Sequence, residues 1–209
     1  MSGLPVAPHR TALPRLLRLM GAIVAHDVTA LETLRKAAPE GEPDVRWREV
    51  ALMAHLFCGF PRTLAALEVL GRAGGLGAPE PVELEASAGP GEDVRGRGAA
   101  LFERIYGANS SAVRAHIDAQ HPDLERWIAE HAYGRVLSRP ALDAATRELC
   151  AVVALAVTGH DRQLASHARG AIRCGATRAD VDAALALVEE WIPEAAQARV
   201  RTVIEQFAR

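Results

Sequence analysis

The strongest structural signal in the chain is the stretch DAATRELCAVVALAVTGHDRQLASHARGAIRCG at residues 143–175. Asp143 is a favoured helix N-cap, and the almost wholly apolar body from there to about Thr158 predicts a buried helix. Gly159-His160-Asp161 breaks this helix, and a second one runs to about Cys174, where Gly175 ends it. Two helices joined by a tight corner favour an all-α chain.

The composition agrees with that prediction and limits the function. Of 209 residues, 49% are hydrophobic, 24% are charged and only 4% are aromatic, with a net charge of −2. This balance is typical of a globular protein and excludes a disordered one. The small negative charge and the dispersed Lys and Arg residues argue against nucleic acid as a partner.

The cysteines and apolar runs bear on location. Cys58, Cys150 and Cys174 stand alone with no CxxC pair, which indicates buried thiols in a reducing compartment. The apolar run at 19–25 is short and ends in His26-Asp27, unlike a signal peptide. We expect no apolar stretch that reaches the ~18 residues of a membrane span. We therefore expect a cytoplasmic protein without a membrane partner.

A Gly- and Pro-rich stretch divides the chain. We predict a first helical unit at 1–72, a linker at 73–97 and a second helical unit at 98–209. In the first unit the pattern predicts helices over 13–25, 27–38, 44–58 and from 61. In the second unit it predicts helices over 98–106, from 109, over 122–133 with Gly134 as the end, over 143–158 and 161–174, and from 177 and 193, with an extended stretch at 135–140.

The two units look like copies of each other. His26-Asp27 and His160-Asp161 lie 134 positions apart, and the order of helices and breaks is the same around them. This predicts an internal duplication. At the same offset Pro14 stands opposite Glu148, and threonines stand opposite Gln163 and His167. We therefore expect one active site per chain, in the second unit.

The chemistry-bearing residues cluster in the second unit. His160, Gln163 and His167 share one face of a helix by their spacing. Glu148 lies in the preceding buried helix, so pairing of the two helices would bring it to the same face. A carboxylate beside an imidazole fixes the ring tautomer and raises its basicity, which suits proton transfer.

These residues carry a family resemblance. Arg147-Glu148-Leu149, followed by the spacing His-x-x-Gln-x-x-x-His, resembles the carboxymuconolactone decarboxylase family, which also holds the alkylhydroperoxidase D-like proteins. The segments LFCGFPR at 56–62 and YGRVLSRP at 133–140 are similar to family stretches as well. The resemblance covers about 14–72 and 120–208. It implies two fused all-α units of this fold.

The resemblance also implies a function. The peroxidase branch needs CxxC where this chain has His160 and Gln163, so peroxidase activity is disfavoured. What remains is a cofactor-free lyase that decarboxylates a small carboxylated lactone or related acid. The implied roles are a general acid (His167), its orienting carboxylate (Glu148), hydrogen bonds to substrate (His160 and Gln163) and a grip on the substrate carboxylate (Arg139 or Arg147).

Simpler interpretations stay open. Glu148 and His167 could form a buried structural pair in a non-catalytic scaffold or ligand-binding pseudo-enzyme. His26 and His160 could cap helices. The chain has eight histidines, but His-x₆-His is a weak ligand pattern, so we expect no metal. By analogy with the family we expect a homo-oligomer, with a trimer first and a dimer second.

Overall fold

The computed structural model describes residues 8–81, 83 and 93–208. This part of the chain contains helices and turns and no strand, which confirms the all-α fold. Its longer helices are α1 (Pro8–Ala25), α2 (Val28–Lys36), α3 (Asp44–Arg72), α4 (Val94–Tyr106), α5 (Ser110–Gln120), α6 (Pro122–Trp127), a π-helix (Ile128–Leu137), α7 (Ala144–Thr158), α8 (Asp161–Arg173), α9 (Arg178–Ala186) and α10 (Glu194–Phe207).

The core lies between α1 and α7, which pack against each other. Ile23 of α1 and Val152 of α7 are fully buried in it. Helix α3 packs on α1 and adds Trp47 and Met53 to the same cluster. The apolar body that predicted a buried helix thus lies at the centre of the fold. Helix α8 packs on α7, and α10 packs on α8, next to the candidate site.

A kink interrupts helix α3 at Gly59, where the sequence predicts a break. Gly59 has φ 76° and ψ 167°, which kinks the helix, and Pro61 follows in the next turn. The two predicted helices are therefore two limbs of one element of 29 residues. This corrects the expected absence of a stretch long enough to span a membrane. By length and composition α3 is long and apolar enough to cross a membrane, with a mean hydropathy of 1.5 in its most apolar segment. A third of that segment is buried in this fold.

In the second half of the chain, one helix begins earlier than predicted and another ends later than predicted. Helix α4 begins at Val94 and is capped by Asp93, inside the stretch assigned to the linker. The remainder of that linker, residues 82 and 84–92, lies outside the described residues. The π-helix runs through Gly134 to Leu137, so the predicted helix end at Gly134 and the extended start of 135–140 are wrong.

Close helix packing explains Gly134. A Cβ there would lie 2.3 Å from the carbonyl oxygen of Val94, and a Cβ at Gly98 would lie 2.2 Å from that of Ala129. These two glycines let α4 and the π-helix approach backbone to backbone. The glycine that looked like a helix terminator is a packing residue, and sequence pattern does not separate the two uses.

The α1–α2 and α7–α8 corners have the same geometry. His26 and Gly159 both adopt a left-handed conformation, with φ 60° and 76°. The next residues, Asp27 and His160, occupy the N-cap positions and donate backbone N–H groups to carbonyls five residues back, at 2.9 Å in both corners. The corners correspond at 133 positions, so the predicted register of 134 is one residue off. The duplication itself stays a prediction.

The side chains of His26 and His160 do not cap these helices, so the structure does not support that alternative. The Asp27 side chain caps α2 by accepting from the Ala30 N–H at 2.9 Å. His26 precedes the cap, and the His160 side chain makes no capping hydrogen bond. His160 is therefore available for another use.

Candidate active site

Glu148 and His167 meet between α7 and α8. Glu148 Oε2 lies 2.9 Å from His167 Nδ1, and the two residues are only 1% and 9% exposed. An ionised carboxylate can only accept, so Nδ1–H donates to it. In the neutral ring Nε2 then carries the lone pair. The carboxylate fixes the tautomer as the sequence led us to expect.

Gly170 makes this contact possible. A Cβ on Gly170 would lie 2.3 Å from Glu148 Oε2 and 2.8 Å from Ile105 Cγ2. The glycine therefore leaves the space that the carboxylate occupies, one turn after His167. It also allows α8 to approach the end of α4.

His167 forms part of the wall of a large cavity of about 1080 Å³. His160 and Gln163 line the same cavity, and both are exposed, so the cavity opens to solvent on their side. Glu148 lies behind the ring and outside the lining. The structure thus brings together four of the six residues selected from the sequence.

The other two lie elsewhere. Arg139 Nε and Arg147 Nη2 donate to the two carboxylate oxygens of Glu49 at 2.7 and 2.8 Å. Arg147 is fully buried, and neither arginine lines the cavity. The expected role of these arginines as substrate ligands does not fit this placement, because Arg147 of α7 and Arg139 of the preceding loop bind Glu49 of α3 instead.

Three other arginines, all on α8, line the cavity where Arg139 and Arg147 were expected. Arg162, Arg169 and Arg173 line the cavity, and Arg169 also lies over the Phe207 ring at 4.7 Å. The acidic residue of the lining, Asp161, is ion-paired with a neighbouring arginine of α10. The cavity wall is therefore net positive and suited to an anion.

Two tyrosines in the cavity were missed from the sequence. Tyr133 of the π-helix donates to the hydroxyl oxygen of Tyr106, at the end of α4, at 3.1 Å. Both rings pack on Phe102, with centroids at 4.7 and 4.3 Å. The chain has two tyrosines, 27 positions apart, and no spacing rule pairs them.

Burial dominates the titration of this pair. It raises the pKa of Tyr133 well above its usual 10, and the charges of Tyr106 and Glu148 raise it further. Burial also raises the pKa of Tyr106, although the hydrogen bond from Tyr133 lowers it and the Glu148 charge raises it. Both hydroxyls are therefore protonated at neutral pH.

The first half of the chain also contributes to the cavity. Phe57 of α3 lies edge-on to the His167 ring, with centroids 6.3 Å apart, and Leu56 lines the wall beside it. The site is thus not confined to the second predicted unit. The stretch around the Gly59 kink was singled out from the sequence by resemblance alone, and its position at the cavity depends on tertiary packing.

The thiols are poorly suited to redox chemistry. Burial raises the pKa of Cys150 to about 12 and that of Cys174 to about 11. Cys58 is half-buried, and burial raises its pKa too. In the described ranges, no three His, Cys, Asp or Glu side chains come together as a metal-binding group.

Comparison with known proteins identifies a family that the second half of the chain resembles. The model of the carboxymuconolactone decarboxylase family matches residues 122–204, which contain Glu148, His160, Gln163 and His167. The chain is also 29% identical over 153 residues to a protein named Peroxisomal protein 2 from Schizosaccharomyces pombe, covering 73% of this chain and 70% of the relative. Residues 122–204 of this chain are thus similar to the carboxymuconolactone decarboxylase family.

Proposed function

We propose that this chain is an acid–base enzyme that removes CO₂ from a small carboxylated lactone or related acid. The observation that supports this most is the placement of His167: its ring lines a solvent-open cavity while Glu148 holds Nδ1 from behind at 2.9 Å. A side chain fixed in one tautomer at a cavity wall is what general acid–base catalysis requires.

The reaction needs one proton transfer. The bond between carbon and the carboxylate breaks, CO₂ leaves, and the electron pair moves into the conjugated carbonyl to give an enolate. His167, as the imidazolium, then gives its Nε2 proton to carbon and regains one from water. Glu148 stabilises the imidazolium and keeps Nε2 directed into the cavity. His160 and Gln163, on the same face of α8, hydrogen-bond to the substrate.

The anionic substrate is held by the cavity wall. Arg162 has no ion-pair partner among the described residues, and Arg173 donates through one Nη to a backbone carbonyl at 2.7 Å. Guanidinium groups bind carboxylates in two-pronged contacts. We assign the substrate carboxylate to these α8 arginines, in place of the pair bound to Glu49.

A non-catalytic scaffold or ligand-binding pseudo-enzyme of the same fold is the second candidate. A scaffold would tolerate a sealed Glu148–His167 pair, whereas His167 contributes to an open wall. A peroxidase is the third candidate. The absence of CxxC and the raised pKa of each of the three thiols argue against it.

Turnover of defined acids tests the proposal. Carboxymuconolactone and a panel of related lactone acids are incubated with the full chain, and released CO₂ is measured. We expect release from at least one acid, and a loss of about 10²- to 10⁴-fold in His167→Gln. Thr202→Ala, on the exposed face of α10, is the control and stays within about twofold. Absence of turnover across the panel, with binding unchanged by His167→Gln, would favour the scaffold.

We also propose that the chain forms a homo-oligomer, a trimer first and a dimer second. Several large apolar side chains are exposed, with Phe60 at 65% and Trp127 at 61%. Surfaces of this kind are typical of interfaces. Sedimentation analysis of the full chain measures the assembly, and a monomer at micromolar concentration would contradict the proposal.

The cellular location of the chain is also a proposal. The isolated thiols favour a reducing compartment, and we propose the cytoplasm. The name of the fission-yeast relative refers to the peroxisome, which makes that organelle the alternative. Imaging of the tagged full chain in its own cells distinguishes them.

A further inference from the structure

The hydroxyl pair formed by Tyr106 and Tyr133 has no role in the proton transfer described above. Tyr133 donates its hydrogen to the Tyr106 oxygen at 3.1 Å. The Tyr106 hydrogen is therefore directed to a different acceptor, and none of the described residues accepts it. Both side chains line the cavity. A hydrogen-bond donor without an acceptor in a ligand cavity is available to a ligand.

The pair is built as a polarised donor. A hydroxyl that accepts a hydrogen bond becomes a stronger donor through its own hydrogen. Phe102 holds both rings by stacking on Tyr106 at 4.3 Å and meeting Tyr133 edge-on at 4.7 Å. The donor is thus fixed before a ligand arrives, which is the property that makes oxyanion-binding groups effective.

The pair lies near the proton-transfer residues. The charge of Glu148 acts on both tyrosines and raises the pKa of each. The side chain of Ile105, the residue before Tyr106, lies next to Gly170, and Gly170 is one turn from His167. The Tyr106 hydroxyl and the His167 ring therefore line the same cavity.

We propose that Tyr106, polarised by Tyr133, binds the oxyanion of enolate- or phenolate-type ligands in this cavity. The inference rests on the proposed function in one respect: loss of CO₂ into a conjugated carbonyl produces an enolate oxygen, and Tyr106 donates to it while His167 protonates carbon. The negative charge of the enolate forms next to a neutral, protonated hydroxyl. This hydroxyl stabilises the charge by donating a hydrogen bond, without a change in its own protonation.

Binding of 4-nitrophenolate tests this donor without turnover. The probe carries a phenolate oxygen, and 4-nitrotoluene is a matched ligand without it. We expect Tyr106→Phe to weaken 4-nitrophenolate binding about tenfold or more, because hydrogen bonds to charged groups are strong, and to leave 4-nitrotoluene binding unchanged. Tyr133→Phe leaves Tyr106 in place without its polarising donor, so we expect a smaller loss of about threefold.

The controls separate this inference from the proposed function. Each variant removes a single oxygen and keeps the ring that packs on Phe102, and thermal melts establish that it is folded. Thr202→Ala, on the exposed face of α10, is the matched control and keeps 4-nitrophenolate binding within about twofold. Equal binding by wild type and Tyr106→Phe, or no preference of the wild type for the phenolate, overturns the inference even if CO₂ is released. Tyr106-dependent binding without CO₂ release from any acid overturns only the proposed function.

Discussion

Glu148 and His167 form a hydrogen bond of 2.9 Å that joins a buried carboxylate to an imidazole on a cavity wall. They are 19 positions apart, on two helices that meet at the Gly159 corner. The carboxylate reaches the ring because Gly170 leaves room for it. The site therefore depends on helix packing as much as on its reacting groups.

Filling the space at Gly170 should disturb this bond. In Gly170→Ala the new methyl group would lie 2.3 Å from Glu148 Oε2, so we expect a loss of about 1–3 kcal/mol in the free energy of unfolding. Gly71→Ala is the matched control: it lies in α3 with nothing within 4 Å, and should gain up to about 1 kcal/mol. Urea denaturation measures both. Equal effects of the two substitutions would show that Gly170 is not tightly packed.

The buried ion cluster around Glu49 should be important for stability. Glu49→Gln leaves Arg147, which is 1% exposed, without its countercharge. Breaking a buried ion pair costs about 3–5 kcal/mol, and we expect a loss in that range. Glu32→Gln removes an exposed pair with Lys36 on α2 and should cost less than about 0.5 kcal/mol. Comparable urea midpoints for the two variants would contradict this account.

The free energy of unfolding should fall at alkaline pH. Burial holds the pKa of Cys150 near 12 and that of Cys174 near 11, and raises the pKa of both tyrosines. The native state keeps protons that the unfolded chain releases from about pH 9 for thiols and 10 for tyrosines. Stability is therefore complete below those values and is lost as pH rises above them. Urea titrations across this range measure it.

Tyrosinate absorbance gives a direct check on the same pair. The chain has only two tyrosines, so the signal belongs to Tyr106 and Tyr133. In the native protein we expect no tyrosinate step at pH 10, whereas the chain in urea should be about half ionised there. A native step at or below pH 10 would contradict the burial of these hydroxyls.

A histidine pair should make the fold sensitive to acid. His55 Nε2 and His131 Nε2 lie 2.7 Å apart, and the ring of His55 stacks on Phe60. Burial and the charges of His55 and Arg135 lower the pKa of His131 below its usual 6.5. The stability that neutral His131 contributes is fully present above about pH 6.5, and it is lost as the pH falls below that value.

His131→Gln checks this relationship. We expect the variant to lose less stability than the wild type between about pH 7 and about pH 5, as followed by urea midpoints. His116→Gln, on α5, is the control and keeps the wild-type slope. An unchanged slope in His131→Gln would assign the acid sensitivity to other groups.

Local patterns predicted the helices and the Glu148–His167 pair because both depend on spacing along one or two helices. Apolar content placed α7 in the core, and the interval from Glu148 to His167 placed both residues on facing helices. Local patterns gave wrong predictions where the sequence allows two local arrangements equally and tertiary packing decides between them. Gly134 serves packing instead of ending a helix, and Arg147 turns to Glu49, 98 positions away, instead of the cavity. Tyr106 and Tyr133 carry no motif, and only the fold brings them together.

The most direct test of the central claim is a double-mutant cycle on the rate of CO₂ release, with wild type, Glu148→Gln, His167→Gln and the double variant. If Glu148 acts through the ring of His167, Glu148→Gln alone slows release by about 10- to 100-fold. The same substitution then has no further effect once His167 is replaced, because residues that act as a unit are not additive. Losses that multiply in the double variant would contradict the account, since the two residues would then act independently.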